Sequence, residues 1–279
     1  MRLLQRFRFI LQSHHNKTAM LLKLKRAIPN LITLLNLLCG AAAVTVVYTG
    51  LFGGAGGLVA GIILIFAGAF FDFWDGLTAR ALRVQSPLGV QLDSLADLIT
   101  FGFAPAALYV AILWWNVGGE AVLAGGDYPV VVLPPLLMVA FAAYRLGKFN
   151  VDTRQTTFFL GLPSPASALF TCGVVAGMVL TPQGIPFRWL NEHPWLVVLL
   201  ALGQGVLMVS EIPMFSLKIK HFSLTALVPH IFLLAVAIPA VVVYRLGGLL
   251  HTMVAYVLLS LIFRRRFARG NGEGTAVES

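Results

Sequence analysis

The sequence predicts an all-α, polytopic membrane protein with about eight transmembrane helices. Hydrophobic residues make up 58% of the 279 positions and charged residues only 11%, and the mean hydropathy is +0.87. A soluble domain carries about 25% charged residues. Several apolar runs approach the roughly 20 residues that a helix needs to cross a bilayer. The length suits one membrane domain and leaves no room for a second large soluble one.

Composition divides the chain into three parts. Residues 1–28 form a basic arm, which we expect to be either an interfacial helix on the anionic inner leaflet or a positively charged flank of the first span. Residues 29–263 form the transmembrane domain. Residues 264–279 begin with arginines and end in Gly, Glu and Ser, which predicts a flexible cytoplasmic tail.

The apolar runs predict spans at 31–48, 57–77, 87–109, 130–147, 161–180, 194–210, 224–243 and 247–263. A very short turn at 244–247 would join the last two, so six spans with a longer final segment is the alternative. In the second span Gly53, Gly57 and Gly61 recur every four residues. This spacing lets two helices approach closely, either within one chain or between two chains.

The basic residues predict the orientation of these spans. With a cytoplasmic N-terminus, all 20 Lys and Arg residues except Arg188 and Arg245 fall on cytoplasmic segments or cytoplasmic span ends. This pattern obeys the positive-inside rule and places both termini and the loop at 78–86 in the cytoplasm. Membrane topology therefore explains the net charge of +9, and we expect no nucleic-acid partner. Cys39 and Cys172 lie inside spans and predict no disulfide.

The stretch DFWDGLTARALRVQSPLGVQLDSLAD contains four of the chain's 11 acidic residues. Asp72 and Asp75 are three positions apart at the end of the second span, and Asp93 and Asp97 are four apart at the start of the third. Residues at these spacings share one helical face. Ser86–Pro87 predicts a helix start, because Ser caps helices and Pro fits the first position. Two antiparallel helices joined by this loop would bring both carboxylate pairs together.

Four neighbouring carboxylates repel one another and lose solvation, so they predict a bound positive charge. Oxygen ligands without nearby His or Cys favour hard divalent cations, Mg²⁺ or Mn²⁺. Four shared carboxylates could hold two such ions about 4 Å apart, an arrangement suited to phosphoryl chemistry. Gly76, Ala79 and Gly89 leave space for a phosphorylated ligand, and Arg80 supplies positive charge for its phosphate.

This stretch resembles the signature of the CDP-alcohol phosphatidyltransferase family, Asp-x2-Asp-Gly-x2-Ala-Arg-x8-Gly-x3-Asp-x3-Asp. The matching residues are Asp72, Asp75, Gly76, Ala79, Arg80, Gly89, Asp93 and Asp97. The resemblance implies a membrane-embedded homodimer with a six-helix core, here with two further helices, that moves a phosphatidyl group from a CDP-linked lipid to an alcohol. It implies that the four aspartates surround two metal ions and that Asp97 is the general base. The implied contacts to CDP-diacylglycerol are Asp72, Gly76, Ala79, Arg80 and Gly89.

Two other stretches resemble bacterial phosphatidylserine synthases of the integral-membrane type. They are IPNLITLLNLLCG in the first span, and YRLGKFNVD followed by FFLGLPSPASA between the fourth and fifth spans. The resemblance implies that CDP-diacylglycerol and L-serine react to give phosphatidylserine and CMP. It also implies a bacterial cytoplasmic membrane, with the active site facing the cytoplasm.

The serine carboxylate needs a cationic partner, and the candidates lie at or just beyond the cytoplasmic end of the fourth span. Arg145 is the first candidate, because a guanidinium binds a carboxylate through two parallel hydrogen bonds. Lys148 and Arg154 are the others, and all three could instead be positive-inside residues or bind the lipid diphosphate. On one face of the first span, Asn30 and Thr33 could contact the nucleotide or form interhelical hydrogen bonds.

Two alternatives for the function differ in chemistry. The nearer one is the same transfer to glycerol 3-phosphate, inositol phosphate or choline, since the three cationic residues could bind a phosphorylated acceptor. The other is a divalent-cation transporter that uses the aspartates. A transporter would need further acids along a path, and the remaining acidic residues lie in loops, at span edges or in the tail. A non-catalytic scaffold would leave the carboxylates unexplained.

Overall fold

The computed structural model describes residues 2–49, 51–84, 86–118, 132–151, 159–214 and 224–269. These residues are overwhelmingly helical, which confirms the predicted all-α class. Arg154, one of the three candidates for binding the acceptor, lies outside the described residues, as does the predicted tail from residue 270 onward.

The helices and strands follow one another in this order. The α-helices of the described residues are α1 (Arg2–Thr49), α2 (Gly54–Leu82), α3 (Pro87–Asp97), α4 (Ala104–Val117), α5 (Leu137–Val151), α6 (Ser164–Leu180), α7 (Phe187–Glu192), α8 (Pro194–Val209), α9 (Leu224–Tyr244) and α10 (Gly248–Arg269). A π-helical turn, Leu98–Phe103, joins α3 to α4, and 3-10 turns at Pro134–Leu136 and Arg245–Gly247 precede α5 and α10. Two short strands, β1 (Phe159–Leu160) and β2 (Pro213–Met214), pair antiparallel.

The helices have the length and composition of membrane spans. Four stretches of the described residues are long and apolar enough to cross a bilayer, namely Lys25–Thr49, Gly54–Leu82, Pro87–Asn116 and Val228–Ile262, and α6 and α8 are shorter apolar helices. Each of the eight predicted spans overlaps a helix, the fourth within the described part that begins at residue 132 and the fifth from Ser164 onward. Large apolar side chains such as Leu31 and Phe70 are exposed, as expected of a protein surrounded by lipid.

The stretch Val228–Ile262 is a hairpin of two helices. The turn between them contains Arg245 in a left-handed conformation, with φ of 52°. The rings of Tyr244 and His251 stack with centroids 4.6 Å apart, whereas residues seven apart along one helix are separated by about 10 Å. A Cβ on Gly248 would lie 2.5 Å from the backbone of Val241. The predicted short turn between the last two spans is therefore confirmed.

Helices α4 and α6 lie at the centre of the fold. Tyr109 of α4 is fully buried, as are most residues of α6. Gln204 of α8 joins both helices, because its Nε2 donates to the Tyr109 hydroxyl at 2.5 Å and its Oε1 accepts from Ser167 and Thr171 at 3.1 Å each. Buried polar groups that satisfy one another in this way hold the three helices in register.

The glycines of the second span face α1. A Cβ on Gly57 would lie 3.0 Å from the Val46 carbonyl oxygen, and one on Gly61 would lie 2.6 Å from Val47 Cγ2. A Cβ on Gly53 would meet no atom within 4 Å. The close helix approach that the spacing predicts therefore occurs within one chain at Gly57 and Gly61.

The loop between α2 and α3 turns the chain back on itself. Arg83 ends α2 in a left-handed conformation with φ of 54°. Ser86 then caps α3, because its Oγ accepts a hydrogen bond from the Gly89 N–H at 3.1 Å, and Pro87 occupies the first helical position. The predicted helix start is confirmed, and it sets two helices carrying the aspartates side by side.

Small residues bring α1, α2 and the π-helical turn into close contact near Asp97. The Thr100 hydroxyl donates to the Asn36 carbonyl oxygen at 2.9 Å. A Cβ on Gly68 would lie 2.5 Å from Thr100 Cγ2 and 3.0 Å from Asn36 Oδ1, and one on Gly40 would lie 2.7 Å from Thr100 Cα. Any larger side chain at either glycine would force these three elements apart.

Candidate active site

Three of the four aspartates meet between α2 and α3. Asp72, Asp75 and Asp93 each offer a carboxylate oxygen, and the three oxygens lie within 4.8 Å of one another. Asp75 is buried and the other two are partly buried. The helical spacing on α2 and the short capped loop to α3 account for this arrangement.

The cluster carries a concentrated negative charge. Two unit charges 4.8 Å apart repel by about 3.5 kcal/mol at an effective dielectric constant of about 20. In the part of the chain that the structure describes, the ion pairs join Lys148 to Glu211 and Arg188 to Glu192, so neither pair neutralises an aspartate of the cluster. Positive charge from another source has to offset this repulsion.

The donor atoms suit a divalent metal ion. Asp75 Oδ2 is buried without a hydrogen-bond partner. Thr33 lies beside Asp75, but its single hydroxyl proton goes to the Pro29 carbonyl oxygen at 3.0 Å. Carboxylate oxygens alone, without sulfur or nitrogen ligands, match Mg²⁺ or Mn²⁺. The residues present therefore fit the predicted class of metal.

Asp97 lies at the edge of this cluster. Its carboxyl group is next to that of Asp72, and the charges of Asp72 and Asp93 act on it. The Asn36 side-chain amide donates to Asp97 Oδ1, with 3.4 Å between the two atoms. Asp97 is the last residue of α3 before the π-helical turn, so it sits where the helical winding changes. Its predicted role as a general base stays a prediction.

A cavity of about 290 Å³ opens beside the aspartates. It is lined by Pro29, Asn30, Thr33, Asp75, Gly76, Ala79, Arg80, Val84, Ser86, Gly89, Val90 and Asp93. Six of the seven residues predicted to contact CDP-diacylglycerol are in this lining, and Asp72 is the exception. The structure therefore brings these six together around one space, although their contact with a nucleotide stays a prediction.

The glycines and Arg80 shape this cavity. A Cβ on Gly89 would lie 3.3 Å from both Asn30 Oδ1 and Ser86 Oγ, so a side chain there would crowd the cavity wall. Arg80 is exposed, and its Nε donates to the Gly76 carbonyl oxygen at 2.9 Å. This bond leaves the guanidinium Nη groups with unused donors for an anionic ligand.

The predicted cations at the end of α5 lie in different surroundings. Arg145 is partly buried, its Nη1 donates to Ser164 Oγ at 3.0 Å, and its Nε is buried without a partner. Lys148 forms an ion pair at 2.9 Å with Glu211, whose side chain is 65% exposed. Arg145 also lies close enough to Asp97 for their charges to interact. Of these two, Arg145 is the one beside the aspartates.

Three further residues near the site were not among the predicted site residues. Asn36 follows Asn30 and Thr33 at the same spacing on α1, so the pattern that singled out those two could have included it. Ser164 lies in a stretch that carried the family resemblance. Tyr256 of α10 is buried and lies near Arg145, but no local pattern marks it.

Comparison with known proteins identifies the family. The family model described as CDP-alcohol phosphatidyltransferase matches residues 26–207. A CDP-diacylglycerol–serine O-phosphatidyltransferase of Bacillus subtilis (strain 168) is 31% identical over 196 residues, which cover 70% of this chain and 90% of that protein. A protein of the same name from Mycobacterium leprae is 32% identical over 221 residues, which cover 76% of this chain and 66% of the relative.

A third relative with that name, from Helicobacter pylori (strain ATCC 700392 / 26695), is 35% identical over 153 residues, or 53% of this chain and 57% of the relative. The family match extends over more than half of the chain and includes all four aspartates, and it does not favour the cation transporter. The protein is thus a membrane-bound transferase of phospholipid biosynthesis, and it belongs to the CDP-alcohol phosphatidyltransferase family.

Proposed function

We propose that this enzyme transfers the phosphatidyl group of CDP-diacylglycerol to the hydroxyl of L-serine and releases CMP. The relatives from Bacillus, Mycobacterium and Helicobacter are all named as serine O-phosphatidyltransferases. The observation that carries the proposal is a juxtaposition: the cavity lined by signature residues adjoins the aspartate cluster, and the partly buried Arg145 lies near Asp97 at the edge of that cluster. The names of these relatives do not favour another acceptor.

The cavity would receive the nucleotide end of the lipid. Gly76, Ala79 and Gly89 keep the cavity wall free of large side chains, and the free donors of Arg80 can bind a phosphate oxygen. Asn30 and Thr33 line the same space and offer polar groups to the base or ribose. The acyl chains would remain in the bilayer beside the helices.

The aspartates would divide the remaining tasks. Asp72, Asp75 and Asp93, with Asp97 at their edge, would hold two divalent ions, Mg²⁺ or Mn²⁺, whose charge would stabilise negative charge developing on the diphosphate. The buried, unpartnered oxygen of Asp75 could bind an ion without first breaking a hydrogen bond.

Asp97 would act as the general base. Its carboxylate would accept the proton of the serine hydroxyl while the hydroxyl oxygen forms a bond to the lipid-side phosphorus. The bond from that phosphorus to the CMP oxygen breaks, and CMP leaves with the electron pair. Asn36 would hold the Asp97 carboxylate through its side-chain amide. Arg145 would bind the serine carboxylate, with Lys148 and Arg154 as further cations near the acceptor.

We further infer that the reaction takes place on the cytoplasmic side of the membrane, with both termini on that side. The positive-inside pattern of all basic residues except Arg188 and Arg245 supports this orientation. In a bacterium the product would enter the inner leaflet of the cytoplasmic membrane. The enzyme would act as a homodimer, as the family resemblance implies.

One assay tests the acceptor. Purified enzyme with CDP-diacylglycerol and Mn²⁺ or Mg²⁺ is offered L-serine, glycerol 3-phosphate, inositol phosphate or choline in separate reactions, and CMP is measured. We expect CMP above background with L-serine alone. A matched reaction without acceptor gives the rate of hydrolysis. CMP release that depends on one of the other alcohols, and not on serine, would overturn the proposal.

A further inference from the structure

We propose that Ser164 is a positioning residue that selects a carboxylate-bearing acceptor, by orienting the guanidinium of Arg145 and by offering a second donor beside it. This inference rests on the proposed function, because it names how that site recognises serine. It concerns a residue of α6 that the aspartate signature does not include.

The backbone before Ser164 is held firmly in place. The Gly161 N–H donates to the Ile212 carbonyl oxygen and the Leu162 N–H donates to the Leu207 carbonyl oxygen, both at 2.9 Å. Ser164 follows at the start of α6 and is fully buried. Its hydroxyl group therefore occupies a fixed position beside Arg145 of α5.

The guanidinium of Arg145 is only partly satisfied at this point. Its Nη1 donates to Ser164 Oγ at 3.0 Å, while its Nε is buried without a partner. A buried cationic N–H that lacks an acceptor costs free energy, and a ligand oxygen would remove that cost. An arginine presents neighbouring N–H groups in a planar fork that matches the two oxygens of a carboxylate.

The Ser164 hydroxyl supplies a second donor. Its oxygen accepts from Arg145, and within the described ranges no acceptor is found for its own proton. A hydroxyl can donate one bond while accepting others. Ser164 can therefore hold the guanidinium at one angle and also donate to a carboxylate oxygen bound next to it.

The location puts the carboxylate site near the proposed general base. Arg145 is near enough to Asp97 for their charges to interact, and Asp97 adjoins Asp72 at the edge of the metal cluster. An acceptor that binds Arg145 through its carboxylate would present its hydroxyl toward Asp97. Serine carries both a hydroxyl and a carboxylate, whereas an amino alcohol without a carboxylate leaves the Arg145 Nε unsatisfied.

The test compares L-serine with serinol, in which a CH₂OH group replaces the carboxylate. For the wild type, Ser164→Ala and Ser164→Thr, kcat and KM are measured for both acceptors and for CDP-diacylglycerol. We expect Ser164→Ala to raise the KM for L-serine at least about tenfold and to reduce the preference for serine over serinol by a similar factor. The KM for CDP-diacylglycerol should change by less than about twofold. Ser164→Thr, which keeps the hydroxyl, should restore the preference.

Ser167→Ala is the matched control. It makes the same change in the same helix at a buried serine, and it removes a hydrogen bond to Gln204 without touching Arg145. We expect it to keep the wild-type preference for serine. If Ser164→Ala does not fold, Ser164→Cys carries the same prediction, because a thiol is only a weak donor and a weak acceptor.

The outcomes separate this inference from the proposed function. A Ser164→Ala enzyme that loses activity equally with serine and serinol, or that keeps the wild-type preference, overturns the role of Ser164 and leaves serine as the acceptor. A wild-type enzyme that releases CMP with another alcohol and not with serine overturns both.

Discussion

The side chain of Asn36 on α1 donates a hydrogen bond to Asp97 at the end of α3, with 3.4 Å between Nδ2 and Oδ1. Asn36 is fully buried, and its backbone carbonyl accepts the Thr100 hydroxyl. Its own Oδ1 is buried without a partner. The amide is therefore kept in the interior with its oxygen unpartnered, and among the described residues its side-chain hydrogen bond is to the proposed base.

We expect Asn36→Leu to lower kcat about tenfold and to change both KM values by less than about twofold. Leucine keeps the branched shape of the side chain but cannot hold the Asp97 carboxylate. Stability should not fall, since the substitution also removes a buried unpartnered oxygen. Thr45→Ala, on an exposed face of the same helix, is the control, and an unchanged kcat for Asn36→Leu would contradict the role.

Asp97→Asn should lower kcat for CMP release about a hundredfold or more, because an amide cannot accept the serine proton as a base. The measurement is the single-turnover rate with saturating serine. Binding of CDP-diacylglycerol, measured separately, should persist, since Asp97 is not in the cavity lining. Near-normal CMP release by this variant would remove Asp97 from the base role.

Metal removal should abolish activity, and Mg²⁺ or Mn²⁺ should restore it, because oxygens of three carboxylates lie within 4.8 Å of one another and the ion pairs of the described residues involve none of them. Asp75→Asn should weaken Mn²⁺ binding at least about tenfold, measured by calorimetry without substrate. Glu192→Gln, which changes an exposed acid paired with Arg188, is the control. Undiminished turnover after exhaustive chelation would argue against metal ions in the cluster.

Lys148→Ala and Arg145→Ala should differ in their effects. Lys148 pairs with exposed Glu211, and such surface pairs contribute about 0–1 kcal/mol, so we expect a change of less than about fivefold in kcat/KM for serine. Arg145→Ala removes the partly buried guanidinium that is bonded to Ser164, and it should lower kcat/KM for serine at least about tenfold. Equal losses in the two variants would show that the cations act as a group.

Gly161→Ala should destabilise the fold near Ser164. Gly161 has φ of 75°, and a Cβ there would lie 2.5 Å from the Met208 carbonyl oxygen and 2.7 Å from that of Ser210. The conformational and steric costs together come to about 2–4 kcal/mol. Thermal unfolding in detergent measures the effect. Gly203→Ala is the control, because a Cβ at that exposed helical position meets nothing within 4 Å and should be neutral or stabilising.

Local patterns predicted the parts of the site that lie close together in sequence. The spacing of the aspartates predicted that they share helical faces, and Ser86–Pro87 predicted the start of α3, because capping depends on neighbouring residues alone. The cavity residues between Asp75 and Asp93 lie on the same short hairpin, whereas Pro29, Asn30 and Thr33 come from α1. The identity of the metal and the role of Asp97 as a general base are predictions about bound ions and substrates, which local sequence patterns do not describe.

Contacts between distant segments could not be predicted in this way. The bonds from Asn36 to Asp97 and from Arg145 to Ser164 depend on how α1, α3, α5 and α6 pack. The sequence does not distinguish a polar residue that forms hydrogen bonds between two spans from one that contacts the substrate. Tyr256 is brought to Arg145 only by the fold-back of α10.

The π-helical turn at Leu98–Phe103 allows one continuous helix to serve two purposes. An α-helix advances by about 100° per residue, and a π turn accommodates one residue more than an α turn. Removing a residue from this turn would rotate α3 relative to α4 by about 100° around the helix axis. Either Asp97 would swing away from its partners or Tyr109 would lose Gln204. The extra residue of the π-helical turn thus sets the rotation of α3, which carries Asp97, relative to α4, which carries Tyr109.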